Sequence, residues 1–142
     1  MFKHEWGFEP YLTFVDNHDK RVLLAKFRIG ICPLRVETGR YENNGDHKGI
    51  QPHERVCLVC NSVTEIEDEF HFLLKCEKHH ELRNKMFASI RNTACNINVN
   101  NSDEDELFRQ VMDCKNEDVI NNVATYIWDS FCVREKILLN RT

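Results

Sequence analysis

Residues 55–76 read RVCLVCNSVTEIEDEFHFLLKC, and within them Cys57, Cys60, His71 and Cys76 stand in the pattern C-x2-C-x10-H-x4-C. A structural zinc ion takes four such donors in a tetrahedron, with thiolate sulfur at about 2.3 Å and imidazole nitrogen at about 2.0 Å. The C-x2-C pair suits a knuckle turn that aims two sulfurs at one ion while backbone amides donate to them. The ten intervening residues are enough for a loop or hairpin that returns the chain, after which His71 and Cys76 complete the set. On an unbroken α-helix five residues advance about 500°, which leaves those two side chains about 140° apart. The pattern therefore requires a break near Cys76. His79 and His80 lie within reach of the same ion and stand as alternative donors.

Other chemistries fit this stretch less well. A thioredoxin-like C-x-x-C sits at a strand-to-helix start in a βαβ setting, and the surrounding sequence has no such alternation of strands and helices. A catalytic zinc needs an open coordination position and a nearby general base, and the H-x-E with P-C-x-x-C of zinc deaminases is absent.

Outward from the metal segment the chain reads as helical. Upstream, Asp16 or Asn17 caps a helix over 17–30 in which Leu23 and Phe27 share one face, and Gly30 and Pro33 end it. PLRVETGRY, residues 33–41, is too short to settle strand against loop, with a turn expected at Gly39, and ENNGDHKGIQPHE reads as a solvated connection. Phe2, Trp6 and Phe8 precede Pro10 in what reads as an extended N-terminal arm over 1–16. Downstream of His71, helix is expected from about Glu67, with Leu82, Met86 and Ile90 giving an amphipathic helix that starts near Glu77. NTACNINVNNSDED reads as an Asn-rich linker over 93–104 with Ser102 as a cap. Leu107, Phe108, Val111 and Met112 then mark a short helix, and Val119 through Phe131 a longer one that runs to about Leu138. The expected fold is mainly α: a small helical domain with an inserted CCHC zinc knuckle and a short irregular or β-hairpin segment. Residues 17–92 form the helix plus zinc-binding module, and the C-terminal helices of 105–142 pack on the same core.

Composition narrows the classes. The 142 residues are 42% hydrophobic and 30% charged, with a formal net charge of -4, which fits one compact domain and argues against wholesale polyanion binding. No apolar run is long enough for a bilayer, and the opening MFKHEWGFEP lacks the apolar core of a secretory signal, so the expectation is a soluble intracellular protein, nuclear or cytoplasmic, without membrane partners. Seven cysteines, an odd number, argue for reduced thiols rather than a disulfide framework. The scattered Cys32, Cys95, Cys114 and Cys132 are expected to be buried small apolar residues.

Charge is concentrated in one place. Lys20, Arg21, Lys26, Arg28, Arg35 and Arg40 give residues 20–40 six positive charges against the single Glu37. Arg21 and Arg28, seven residues apart, share one side of the expected helix and are candidates for phosphate contacts. The acidic runs Glu65 to Glu69 and Asp103 to Glu106 are explained by the preference for negative charge in a first helical turn.

The segments FRIGICPLRVETGRY, RVCLVCNSVTEIEDEFHFLLKC and HELRNKMF together resemble the zinc-binding region that lies carboxy-terminal to the polymerase in reverse transcriptases of animal non-LTR retrotransposons. The resemblance spans about residues 11–90. It implies metal binding by Cys57, Cys60, His71 and Cys76, a nucleic-acid partner such as RNA or a template–primer, and nothing catalytic. Many relatives place proline after the last cysteine, where this chain has Glu77. No Y-x-D-D or F-x-D-D carboxylate pair is present, so two-metal polymerisation is not expected. The competing expectation is a structural or protein-interaction zinc domain, its partner docking on the apolar final helix around Trp128.

Overall fold

The computed structural model describes residues 11–42, 49–60, 62–93 and 95–140. Its helices are α1 (Tyr11–Phe14), α2 (His18–Arg28), α3 (Arg35–Thr38), α4 (His80–Arg91), α5 (Glu104–Asp113) and α6 (Glu117–Leu139). The chain is mainly helical. Among the described residues, β pairing is limited to an isolated antiparallel bridge between Val56 and Ile66.

Local chemistry sets the helix ends. Asn17 accepts from the Lys20 amide at the start of α2, Asp103 from the Glu106 amide at the start of α5, and Asn116 from the Asp118 and Val119 amides at the start of α6. At α5 the cap is thus Asp103 and not Ser102. Helix α2 ends in a Schellman turn: Gly30 takes φ +78, its amide donates to the Phe27 carbonyl, and the Ile31 amide donates to the Lys26 carbonyl. Segment 33–41, ambiguous in sequence, contains the helical turn α3. Its first amides have fixed acceptors, since Arg35 N donates to Glu67 Oε1 at 2.8 Å and Val36 N to the Glu67 carbonyl at 3.0 Å.

Helix α6 is the axis of the molecule and packs against α1, α2, α4 and α5. One continuous core joins Phe27 of α2, Leu34, Phe72, Ile90 of α4, Val111 of α5, and Val119 and Ile127 of α6. Phe72 lies at its centre, with ring centroids 4.7 Å from Phe131 and 5.8 Å from Phe27. The C-terminal helices therefore share their apolar faces with α2 and α4, since none is wide enough to bury its stripe alone.

One stretch differs from its sequence reading: within the expected arm of 1–16, Tyr11–Phe14 is a helical turn packed on α6, while residues 1–10 lie outside the described residues. Between α4 and α5 the Asn-rich linker runs along the core: Cys95, Ile97 and Val99 pack against it while Asn96, Asn98 and Asn100 are exposed. That alternation gives the start of the linker one inward side before the chain turns, the Asn101 amide donating to the Asn98 carbonyl at 3.0 Å.

Candidate metal centre

Cys57 follows the bridge residue Val56, and its amide donates to the Glu65 carbonyl at 2.9 Å; on the far side of the bridge the Glu67 amide donates to the Arg55 carbonyl at 3.1 Å. This two-rung ladder brings the chain back after the C-x2-C turn. His71 then opens a π-type turn over His71–Lys75, closed by the Cys76 amide donating to the His71 carbonyl at 2.8 Å. The wider turn carries Cys76 back over His71, and at Cys76 itself the backbone is extended (φ -58, ψ 120) before a 3-10 turn at Glu77–His79 leads into α4. The break that helix geometry demands is thus present with Glu77, not proline, after the cysteine.

One donor atom from each of Cys57, Cys60, His71 and Cys76 lies within 4.8 Å of the others, so the four residues form a cluster able to hold a metal ion. The geometry fits zinc. Bond lengths of about 2.3 Å to sulfur and about 2.0 Å to nitrogen imply tetrahedral edges of about 3.8 Å between sulfurs and about 3.5 Å between sulfur and nitrogen. The Sγ atoms of Cys57 and Cys76 are 4.0 Å apart, and Cys60 Sγ lies 3.5 Å from His71 Nε2. His71 Nδ1, on the other side of the ring, faces the Glu65 carboxylate at 3.9 Å. Three cysteines and one imidazole leave no open position for substrate, which is the donor set of a structural centre.

Backbone hydrogen bonding at Cys60, Ser62 and Lys78 favours the thiolate forms of Cys57, Cys60 and Cys76 respectively. The hydrogen bond between the Cys57 and Cys76 thiols, together with burial, pushes Cys57 up to about 12, and the same bond lowers Cys76. Burial raises Cys60. A bound cation has to displace these protons, which couples metal binding to proton release.

Four residues that spacing did not single out support the centre. Glu67 is buried, accepts from Arg134 Nε at 3.0 Å and Nη2 at 2.8 Å, and lies 3.7 Å from Cys57 Sγ. Its role is a buried ion pair with α6 and a cap on α3, not the exposed first-turn charge that its acidic neighbours suggest in sequence. Arg83, buried on α4, donates to the Leu73 carbonyl at 2.8 Å and the Cys76 carbonyl at 2.7 Å, while the Tyr126 hydroxyl donates to the Phe72 carbonyl. The Phe72 and Leu73 carbonyls are ones that the π-type turn leaves without their usual helical donors, whereas the Cys76 carbonyl also accepts from the His79 amide at 3.2 Å. Three thiolates around a divalent cation leave one net negative charge and Glu67 adds a second; the guanidinium groups of Arg83 and Arg134 balance the two.

The histidines proposed as substitute donors lie outside this set. His79 is buried with its ring centroid 4.9 Å from Phe72, and neither ring nitrogen has a hydrogen-bond partner among the described residues. Burial, then the nearby Arg83 charge, pushes it down to about 4, so it is neutral. His80 is exposed at the start of α4, its Nε2 3.1 Å from Asn84 Nδ2.

The basic residues of 20–40 do not form one free face. Arg21 Nη1 donates to the Val15 carbonyl at 3.0 Å, and Arg28 donates to the Met112 carbonyl while covering the Tyr11 ring. Arg35 pairs with Glu42, and Arg40 with Glu37 at 3.3 Å. Arg21 and Arg28 therefore tie α2 to its neighbours, because both reach carbonyls that other segments leave open. Lys20 and Lys26 make no ion pair with another described residue. The scattered cysteines also separate: Cys32 is buried, Cys95 and Cys114 are partly exposed, and Cys132 is exposed. Trp128 is half-buried within α6, whose apolar face is largely covered by the core.

No helix of the described residues is long and apolar enough to cross a membrane. Comparison with protein-family models, with curated proteins and with solved structures finds no match.

Proposed function

We propose that this chain is a non-enzymatic zinc-binding module related to the region behind the polymerase of non-LTR reverse transcriptases, and that its partner is nucleic acid, RNA or a template–primer. The observation that carries the zinc reading is the donor set itself: three cysteines and a histidine whose donor atoms lie within 4.8 Å of one another, with edges of 4.0 Å and 3.5 Å close to those of tetrahedral zinc. When bound, zinc cross-links the bridge segment to the π-type turn. The residues around it orient the donors and exclude water. Cys57, Val59 and Cys76 pack with Ile137 and Leu138 of α6, so the ion fixes the knuckle against the longest helix.

The nucleic-acid reading rests on the sequence resemblance. The cations of residues 20–40 left for phosphate binding, with no ion pair to another described residue, are Lys20 and Lys26, rather than Arg21, Arg28, Arg35 and Arg40. The test is a titration of fluorescently labelled RNA with the zinc-loaded protein at two salt concentrations. Affinity should fall as salt rises, and replacing Lys20 and Lys26 with Gln should lower the log–log salt slope by about 0.7–0.9 for each phosphate that is no longer neutralised. Absence of any salt-sensitive affinity for RNA or DNA removes the nucleic-acid reading. The protein-interaction reading then takes its place, supported by exposed apolar side chains at Ile29 and Ile31 beside the end of α2 and at Leu58 and Val63 on the knuckle.

A further inference from the structure

A second pair of sulfurs lies apart from the metal cluster. Cys95 opens the extended row in which Ile97 and Val99 also turn inward, and Cys114 is the residue that ends α5. Their Sγ atoms stand 3.0 Å apart, closer than two unbonded sulfurs normally rest and about 1 Å from disulfide distance. Both residues are partly exposed, in contrast to Cys32, Cys57 and Cys76. Among the described residues the only group of three or more metal-donor side chains is the Cys57 set, so Cys95 and Cys114 have no third metal donor among the described residues.

We propose that Cys95 and Cys114 are a disulfide-forming pair, oxidised by exchange with a low-molecular-weight disulfide, whose closure ties the segment 95–103 to the end of α5. One of the two thiols loses its proton to solvent and attacks the small disulfide, breaking its S–S bond and releasing one small thiolate. The other then ionises and attacks the protein-bound sulfur of the mixed disulfide, forming the Cys95–Cys114 bond and releasing the second small thiolate. Two protein thiols are oxidised, one small disulfide is reduced to two thiols, and the two protons pass through solvent to the leaving thiolates. The sulfurs need little travel, because Ile97 and Val99 hold the segment of Cys95 against the core and the N-cap Asp103 begins α5 directly beyond it. Burial, then the Cys95 thiol, pushes the Cys114 thiol up to about 11. Each thiolate acts once in either order of attack, so closure is slow at neutral pH and accelerates as pH rises.

The experiment uses the full chain with the exposed Cys132 replaced (Cys132→Ser), freed of reductant and incubated with oxidised glutathione. Remaining thiols are alkylated and the digest is mapped by mass spectrometry without reduction. The expected product is a Cys95–Cys114 cross-linked peptide, without glutathione on either residue and reversed by dithiothreitol. In the Cys114→Ser variant glutathione should accumulate on Cys95 instead, which shows that the first residue is reachable when its partner is gone. Stable glutathione adducts on both residues of the parent overturn the proposal. So does alkylation of both, alone or with cross-links confined to Cys57, Cys60 and Cys76. The readout concerns Cys95 and Cys114 only and is independent of metal content.

Discussion

Arg134→Met isolates the contribution of the ion pair that joins the metal segment to α6. The Glu67 carboxylate is 1% exposed and accepts two bonds from Arg134, at 3.0 Å and 2.8 Å, and one from the Arg35 amide at 2.8 Å. Removing the guanidinium leaves the carboxylate buried with no charged donor, its remaining partners being the Arg35 amide and Cys57 Sγ at 3.7 Å. Breaking one side of a buried pair costs about 3–5 kcal/mol, and methionine retains most of the packing of the arginine stem. For a chain of this size that lowers the melting temperature by roughly 10–20 °C. The uncompensated charge should also weaken zinc binding, because it stands beside a thiolate. Adding Glu67→Gln restores most of the loss: the amide oxygen still accepts from Arg35, and no buried charge remains. Urea unfolding followed by far-UV circular dichroism, with zinc present, measures both variants. A loss of less than about 1 kcal/mol in Arg134→Met, or a double variant no more stable than the single one, refutes the reasoning.

Cys57→Ser or Cys60→Ser should lose zinc and unfold residues 55–76, whereas Cys32→Ser, outside the donor set, should keep the metal; structural zinc contributes on the order of 10 kcal/mol to such units, and metal analysis with circular dichroism separates the cases. Removal of zinc by a chelator should lower the melting temperature of the parent chain and leave that of Cys57→Ser unchanged. Arg83→Met takes charged donors from the Leu73 and Cys76 carbonyls, of which Cys76 keeps the His79 amide, and should destabilise by about 2–3 kcal/mol, read in the same urea titration; an unchanged midpoint means the Leu73 carbonyl needs no donor from Arg83. His79→Leu should be neutral or stabilising by about 1 kcal/mol, since both ring nitrogens lack partners among the described residues, and it should leave zinc content intact. Loss of zinc in that variant would place His79 among the ligands.

Much of the metal centre was legible because its donors are close in sequence and their spacing carries the geometry. The need for a break at Cys76 followed from helix arithmetic alone; the device that supplies it, a π-type turn, did not, because nothing in HFLLK distinguishes it from an ordinary helical turn. Glu67, Arg83 and Arg134 were not legible as support. Arg134 is 67 residues from Glu67, and the Leu73 carbonyl that Arg83 serves becomes available only through the turn. Charge along 20–40 was visible, but the carbonyls of Val15 and Met112 that engage Arg21 and Arg28 were not. The Asn-rich segment shows a different limit. Its asparagine content reads as linker, while the alternation in CNINVN is the signal that turns Cys95, Ile97 and Val99 inward; the approach of Cys95 to Cys114 comes only from the packing of that segment against α5.

The metal content of the chain decides most directly whether the Cys57 cluster is a zinc centre. Protein purified with reductant and dialysed against metal-free buffer at neutral pH should contain close to one zinc per chain by elemental analysis, and Cys57→Ser should contain none. A folded, fully reduced chain with no bound zinc, and none taken up on addition, would contradict that assignment.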